Sequence, residues 1–518
     1  MNLRTLPWIP VRRESESRVE SLESLFREAH SIQDLAVCLV PAATGLWRIL
    51  TVIAARITGL DNPDLGEHEW LSRRDAVLAD GRFDGAAIGA YFDSYSSRFD
   101  LFDADRPWLQ DPRLSRQCAR TSGLNTLILG RPAGNNQSWL SHHRDSDPVP
   151  ISAGDAALQL IAQLYHGTPG RCTARRVGAW TDATAKSAPL RGLVSYHPVG
   201  RSVFESLMVS VPYLPYDATR HGPDFAWWEL PELPDPLMPP NPAYGVGGVL
   251  TGRFCHALLL IGSEDGERVI DGYRTWGVRE PAWSADDPFL IYQLSKTGRR
   301  YPRYADADRA LWRDVDGVLL DDVGYEHSSC PSVFARAKLL ADTQLLDALR
   351  VRAFGFDQDR AQATDRQWYT STTPAVFGMV ADRQAAVAAS RARMTAEMVA
   401  RRLDRAVRSA WIAVNDPSNG GVESVPVASP KAGPVRRESD IAAGPWQAAA
   451  AARYWPAAER EFWRQIREGD LDQASRRFRA LGLRAFGATT ERAGRRPRAR
   501  RAIERARASM FDIGGTPS

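Results

Sequence analysis

Lysine is almost missing from this chain: of 66 basic residues, only Lys186, Lys296, Lys338 and Lys431 are lysines. No Gly-Lys dipeptide occurs, which excludes a Walker A phosphate loop. Cysteine is scarce. Cys38, Cys118, Cys172, Cys255 and Cys330 are widely spread, with no C-x-x-C pair, which argues against a zinc ribbon or a disulfide framework and for cytoplasmic thiols. A G-x-S-x-G elbow and an H-E-x-x-H zinc helix are also missing. Met1 to Pro10 show no basic start leading into an apolar core, so no signal peptide is expected. The most apolar stretch, about Leu35 to Ile57, is interrupted by Arg48 and Arg56 and contains Pro41. It predicts a buried helix and not a membrane span.

What is present reads as a soluble globular protein. Hydrophobic residues make up 44% and charged residues 25% of 518, and that length leaves room for two to four domains. A net charge of +4 does not announce a polyanion ligand. A cationic surface made of arginine does, however, offer planar forks suited to phosphates, base edges and narrow grooves.

Up to about residue 370, short apolar runs alternate with loops rich in Pro, Gly and Asp. Ser152, followed by Asp155 three positions on, opens a predicted helix whose apolar face is Leu158, Ile161, Leu164 and Tyr165 and whose end is Gly167. Gly248 to Ile261 reads as strand. Gly245-x-Gly247 resembles the start of a dinucleotide fingerprint, but Leu250 stands where the third glycine belongs, and a strand is expected where that motif needs a helix.

After Pro374 the composition changes. Val380, Val387 and Met394, then Leu403, Val407, Trp411 and Val414, predict a long amphipathic helix. A polar, proline-rich linker follows from about 416 to 445. Helical signal resumes at Pro456, a good first-turn residue, with Phe462, Trp463 and Ile466. Segments at about 471–486 and 495–511 complete the chain. The last is arginine-dense, with nine arginines against two glutamates between Arg484 and Arg507. The fold class expected is α+β: a large irregular mixed N-terminal domain over 1–370, then a C-terminal four-helix bundle over 375–518.

Two readings of the chemistry stay open at this point. His142, His143 and Asp145, with Asp147 beyond, could hold a divalent ion that activates water for phosphodiester hydrolysis, although a loop of hydrogen-bonding side chains has the same composition. Gly355 to Trp368 (GFDQDRAQATDRQW) is a polar stretch of hairpin or loop length. Its Gln358, Arg360, Gln362 and Arg366 could reach base edges or wedge into a groove.

Short segments, in order along almost the whole chain, carry a resemblance. They are Met1-Asn2-Leu3 with Trp8-Ile9-Pro10-Val11, Ser21-Leu22 with Leu25-Phe26, Ala188-Pro189-Leu190-Arg191-Gly192 with Phe204 and Leu207, and Tyr454-Trp455 with Phe462. Together they resemble the large subunit of the type I-E CRISPR Cascade surveillance complex, the Cse1/CasA family. The resemblance implies a non-enzymatic, cytoplasmic subunit that recognises the protospacer-adjacent motif in duplex DNA from the minor groove. It would also promote strand opening and help recruit a nuclease–helicase. The partners implied are double-stranded target DNA, the 5′ handle of the CRISPR RNA, the backbone, handle-binding and small subunits of the complex, and the nuclease–helicase, with no membrane. A protein-binding scaffold without sequence reading is the remaining alternative.

The same resemblance implies the site residues. A glycine loop matches Thr168-Pro169-Gly170, with Gly170 approaching the groove. A basic finger, usually lysine, matches Arg274 and should present its charge to a phosphate. A wedge hairpin, usually tipped by glutamine, matches Gln358, Asp359, Arg360 and Ala361, with Arg360 at the wedge position and Gln358 or Gln362 as alternatives. Asp357 and Asp359 beside it would oppose phosphate approach. A loop docking on the RNA handle matches Ile128, Leu129, Gly130 and Arg131 through Asn135 and Asn136. The cysteine cluster of some relatives is missing here, so neither zinc nor another cofactor is expected.

Overall fold

Val40–Thr58 forms a nineteen-residue helix (α1), with Pro41 in its first turn, where a missing N–H costs nothing, and Gly59 closing it at φ 63°. By length and composition alone it could cross a membrane, but nearly all of it is buried in the protein. Its two arginines are accommodated by pairing, which burial of charge requires. Arg48 donates to Asp287 (3.1 Å) and Ser195 Oγ (2.9 Å), and Arg56 reaches Glu229, Asp61 and Asp224. A computed structural model describes residues 1–14, 16–134, 141–215, 222–240, 243–280, 286–320, 322–323, 328–359, 364–381, 383–415, 444–470 and 473–510.

The chain makes two units. The first comprises residues 1–311 and 317–381, and the second Trp312–Asp316 with the described residues from 383 onward.

In the first unit, Ala153–His166 forms α2 as its sequence predicts. Ser152 Oγ accepts the Asp155 N–H (3.1 Å), and Gly167 ends the helix. All the sheets are antiparallel. Gly170–Val177 (β1) and Trp180–Ala185 (β2) pair as a hairpin. Val194–Val199 (β3) is fully buried. His256–Gly262 (β4) pairs with Arg268–Trp276 (β5), and Arg350–Asp359 (β6) pairs with both β3 and Thr364–Thr372 (β7).

The strand expected over Gly248 to Ile261 is only half strand. Val246–Thr251 is a short helix (α3), and β4 begins at His256. The cause lies outside that window: Asp224 accepts the N–H groups of Gly247 and Gly248, both at 2.8 Å, and so caps the helix from afar. A helix therefore does follow Gly245-x-Gly247. Its first N–H groups are already occupied by Asp224, and among the described residues no parallel β-α-β unit surrounds it, so the dinucleotide reading stays excluded.

The second unit is helical, with α4 (Arg383–Asn415), α5 (Pro445–Glu468), α6 (Ala474–Thr490) and α7 (Pro497–Ala508). The buried stripe of α4 is Ala386, Ala389, Ala392 and Ala396, continued by Val399, Leu403 and Val407. The expected Val387 and Met394 are only half-buried. Alanine lets neighbouring helices approach closely: at Gly482 of α6 a Cβ would stand 2.7 Å from Val399. Pro445, not Pro456, is the first-turn proline of α5, and Pro456 lies inside that helix. Buried Tyr454, Ala458 and Phe462 on either side keep the helix continuous across it. Trp312–Asp316 joins this unit by specific bonds. Arg313 pairs with Glu397, Asp316 accepts from Arg393 and Ser390, and Trp312 packs on Phe462. Of the expected linker, 416–443 lies outside the described residues.

Candidate nucleic-acid interface

After α2 the chain turns through Gly167, Thr168 and Pro169 into β1. Gly170, the first residue of β1, has φ 105°, a backbone region that residues with a Cβ rarely adopt. A Cβ added there would meet nothing within 4 Å. The backbone, not crowding within the protein, requires this glycine, and its bare side faces open space.

Arg274 stands behind this loop. Its Nη2 donates to the Thr168 carbonyl and to Thr168 Oγ1, both at 2.7 Å, and its Nε donates to Gln163 Oε1 at 3.1 Å. The residue is 6% exposed, and burial lowers its pKa to about 10. The expectation of a finger presenting Arg274 to a phosphate is therefore corrected: the guanidinium faces inward and holds the glycine loop. His256 lies against the same loop, its Nε2 3.0 Å from the Thr168 carbonyl. Burial pushes this imidazole down to about 3, so it stands neutral and donates from Nε2.

The wedge segment is a hairpin. β6 and β7 pair in register from Arg352↔Thr372 to Asp359↔Thr364, with an irregularity after Asp357. Arg360, Ala361 and Gln362, between the two strands in sequence, lie outside the described residues. Gln358 is not free to wedge in this structure. Its Nε2 donates to Asp365 Oδ1 (2.9 Å), and its Oε1 lies where a Cβ at Gly192 (φ 75°) would come within 2.9 Å. Asp357 is 3% exposed and accepts from the Ala307 N–H and from Arg366. It faces away from solvent, so of the two acids expected to repel phosphate only Asp359 is exposed.

A buried arginine joins hairpin and glycine loop. Arg191 pairs with the Asp365 carboxylate and donates to the carbonyl of His166, the last residue of α2. Its guanidinium lies 4.8 Å from the Phe356 ring, on which His166 also stacks at 5.3 Å. Burial pushes His166 to about 3 as well. Two neutral imidazoles and two buried arginines thus form the platform under both elements.

The expected docking loop adjoins the hairpin. A Cβ at Gly130 (φ 92°) would stand 3.7 Å from Trp368 of β7. Ile128 is buried, the Leu129 N–H bonds Gln159, and Arg131 donates to the Val149 carbonyl (2.8 Å). Asn135 and Asn136 lie outside the described residues. Asp145 fastens this loop, one carboxylate oxygen taking Asn125 Nδ2 (3.0 Å) and the other the Gly134 N–H (2.8 Å). That use replaces the metal-ligand role considered for Asp145 with His142 and His143. Among the described residues no group of three His, Cys, Asp or Glu could hold a metal ion.

Sequence reasoning missed Arg171 and Lys186. Gly170 pairs with Ala185, so these two exposed cations flank the glycine, and neither pairs with a carboxylate among the described residues. Lys186 is one of only four lysines, which was the available signal.

The chain is similar over nearly its whole length to known structures. One titled CRISPR RNA-guided surveillance complex is 39% identical with a TM-score of 0.86, covering 99% of each chain. Another, titled as the same complex in a pre-nicking state, is 38% identical with a TM-score of 0.78, covering 100% of this chain and 99% of the other. Thermobifida fusca Cse1, at 17% identity, shares the fold, with a TM-score of 0.74 and coverage of 98% and 97%. No curated protein matches significantly. The sequence profile of CRISPR-associated protein Cse1 matches residues 2–502, and the chain belongs to that family.

Proposed function

We propose that this chain is the non-catalytic large subunit of a type I-E CRISPR RNA-guided surveillance complex. In this reading its first unit recognises the protospacer-adjacent motif from the minor groove of duplex DNA and starts strand opening. One observation carries the proposal: Gly170, with its unobstructed backbone, stands on the same buried platform as the β6–β7 hairpin. Backbone that can approach a groove is thereby fixed beside an element that can enter it. The relatives at 38–39% identity, chains of a CRISPR RNA-guided surveillance complex, support the wider setting.

Arg171 and Lys186 supply charge for the phosphates flanking Gly170, and Arg274 acts as a positioning residue. The segment 360–362, between β6 and β7, provides the wedge, with Arg360 or Gln362 entering. An arginine suits a narrow minor groove because the potential there is strongly negative. The Gly130–Arg131 loop faces the 5′ handle of the CRISPR RNA, and the backbone, handle-binding and small subunits complete the complex. A nuclease–helicase is recruited after opening. Guide pairing reads the target, while protein contacts read only the short flanking motif.

The test is to assemble the complex with guide RNA and compare duplex targets that differ only in the flanking motif. Equal affinity for all flanks would end this reading. Within it, Arg360→Ala should slow duplex opening by about tenfold or more while sparing non-specific association, since prying a base step apart costs a few kcal/mol. A fluorescent base analogue beside the motif reports opening, and an unchanged signal would move the wedge to another residue. Gly170→Asp should weaken target binding by at least about tenfold through steric block and phosphate repulsion.

A further inference from the structure

The function proposed above makes no use of the arginine-rich end of the helical unit. Arg492, Arg495, Arg496, Arg498, Arg500, Arg501, Arg505 and Arg507 are all exposed, against the exposed acids Glu491 and Glu504. Among the described residues only Arg507 has a carboxylate within reach, Glu504 at 3.6 Å. Ala499, Ile503 and Ala506 are buried and hold the other face of α7 in the unit. The first turn of α7 contains no acidic residue, although that is where acids favour a helix and clustered cations oppose it. Uncompensated repulsion against the local rule is typical of functional surfaces.

We propose that this arginine face is a second nucleic-acid surface, which holds the sugar–phosphate backbone of single-stranded DNA without reading its bases. A shallow, open pocket of about 560 Å³ lies against it, lined by Arg495, Arg500, Arg501, Glu504 and Arg505. The twelve residues of α7 span about 18 Å, enough for a few consecutive phosphates of one strand to lie along them. An acidic protein is the poorer fit, because no large apolar side chain is exposed on this helix to form the dry centre that protein interfaces have. Exposed aromatic rings are missing here too, so bases have no stacking platform. The source of the strand, an opened duplex, rests on the function proposed above; the surface itself does not.

The test uses the full-length chain and a fluorescent twenty-residue oligothymidylate, which carries no duplex motif, so it is independent of motif reading. Replacing Arg500, Arg501 and Arg505 together by glutamine should reduce affinity by about tenfold or more at low salt and flatten the salt slope by about two units. The control removes equal charge from exposed positions of α5, with Arg453, Arg460 and Arg467 changed to glutamine, and should leave both quantities near the parent values. Circular dichroism melts of both triple variants exclude unfolding as the cause. An unchanged slope in the first variant, or an equal loss in the control, overturns the proposal. Tighter binding of a blunt duplex, or of a labelled polyglutamate peptide, also overturns it, in favour of those partners.

Discussion

Arg274 shows how far a residue's type is from its role. The resemblance matched it to a basic finger, and the charge is there, but both its Nη2 contacts are spent on Thr168. Arg274→Gln is therefore expected to weaken target binding and lower stability while leaving the salt slope of binding unchanged. A phosphate contact would instead contribute about one unit of slope, so measuring affinity across a salt series separates the two. Arg191 and Gly192 were legible as part of a matching motif but not as chemistry. Only the fold shows that Arg191 bridges Asp365 and His166 and that Gly192 makes room for Gln358. Arg191→Met should destabilise the first unit by about 1–3 kcal/mol, because the buried His166 carbonyl loses its donor while Asp365, 40% exposed, is left to water. Chemical denaturation reads this, and an unchanged midpoint would mean that the His166 carbonyl finds another donor.

At the scale of elements, what was legible depended on whether the cause lay nearby in sequence. α2 was, because Ser152 caps it and Gly167 ends it within the same window. α3 was not, because its cap, Asp224, lies more than twenty residues upstream. The helices of the second unit were visible in their apolar periodicity, but the alanine stripe of α4 was not, since alanine is apolar without being bulky. Pro456 misled because it sits well at a helix start yet is tolerated inside α5. A proline within a helix forfeits a hydrogen bond and costs up to ~3 kcal/mol against alanine. Pro456→Ala should thus raise the unfolding midpoint of the helical unit. A lower midpoint would show that a bend at this point is required for packing.

For the whole molecule, a net charge of +4 concealed the distribution that matters, with bare arginines on α7 and buried ones beneath the hairpin. Burial also lowers the pKa of three imidazoles, to about 3 for His166 and His256 and well below the usual value for His197. In the unfolded chain these groups titrate near 6.5. Below that pH the unfolded state binds protons that the folded state refuses, so stability present above pH 6.5 is lost as the pH falls. The expected loss is about 1.4 kcal/mol per pH unit per imidazole across that window. Melts between pH 7 and 4.5 should show a steady decline, and a flat profile would mean that all three rings take up their protons without unfolding.

Arg191 also limits which motions are available. Its guanidinium grips the hairpin near its closed end, at Asp365, with one nitrogen and the last carbonyl of α2 with another, and the glycine loop begins at the next residue. A force that lifts the hairpin is transmitted to the loop through one rigid planar group, with no flexible linker to absorb it. Under the proposed function, engagement of one arm and insertion of the other would thereby be mechanically geared, and a flank that fails to seat the first would leave the second without purchase.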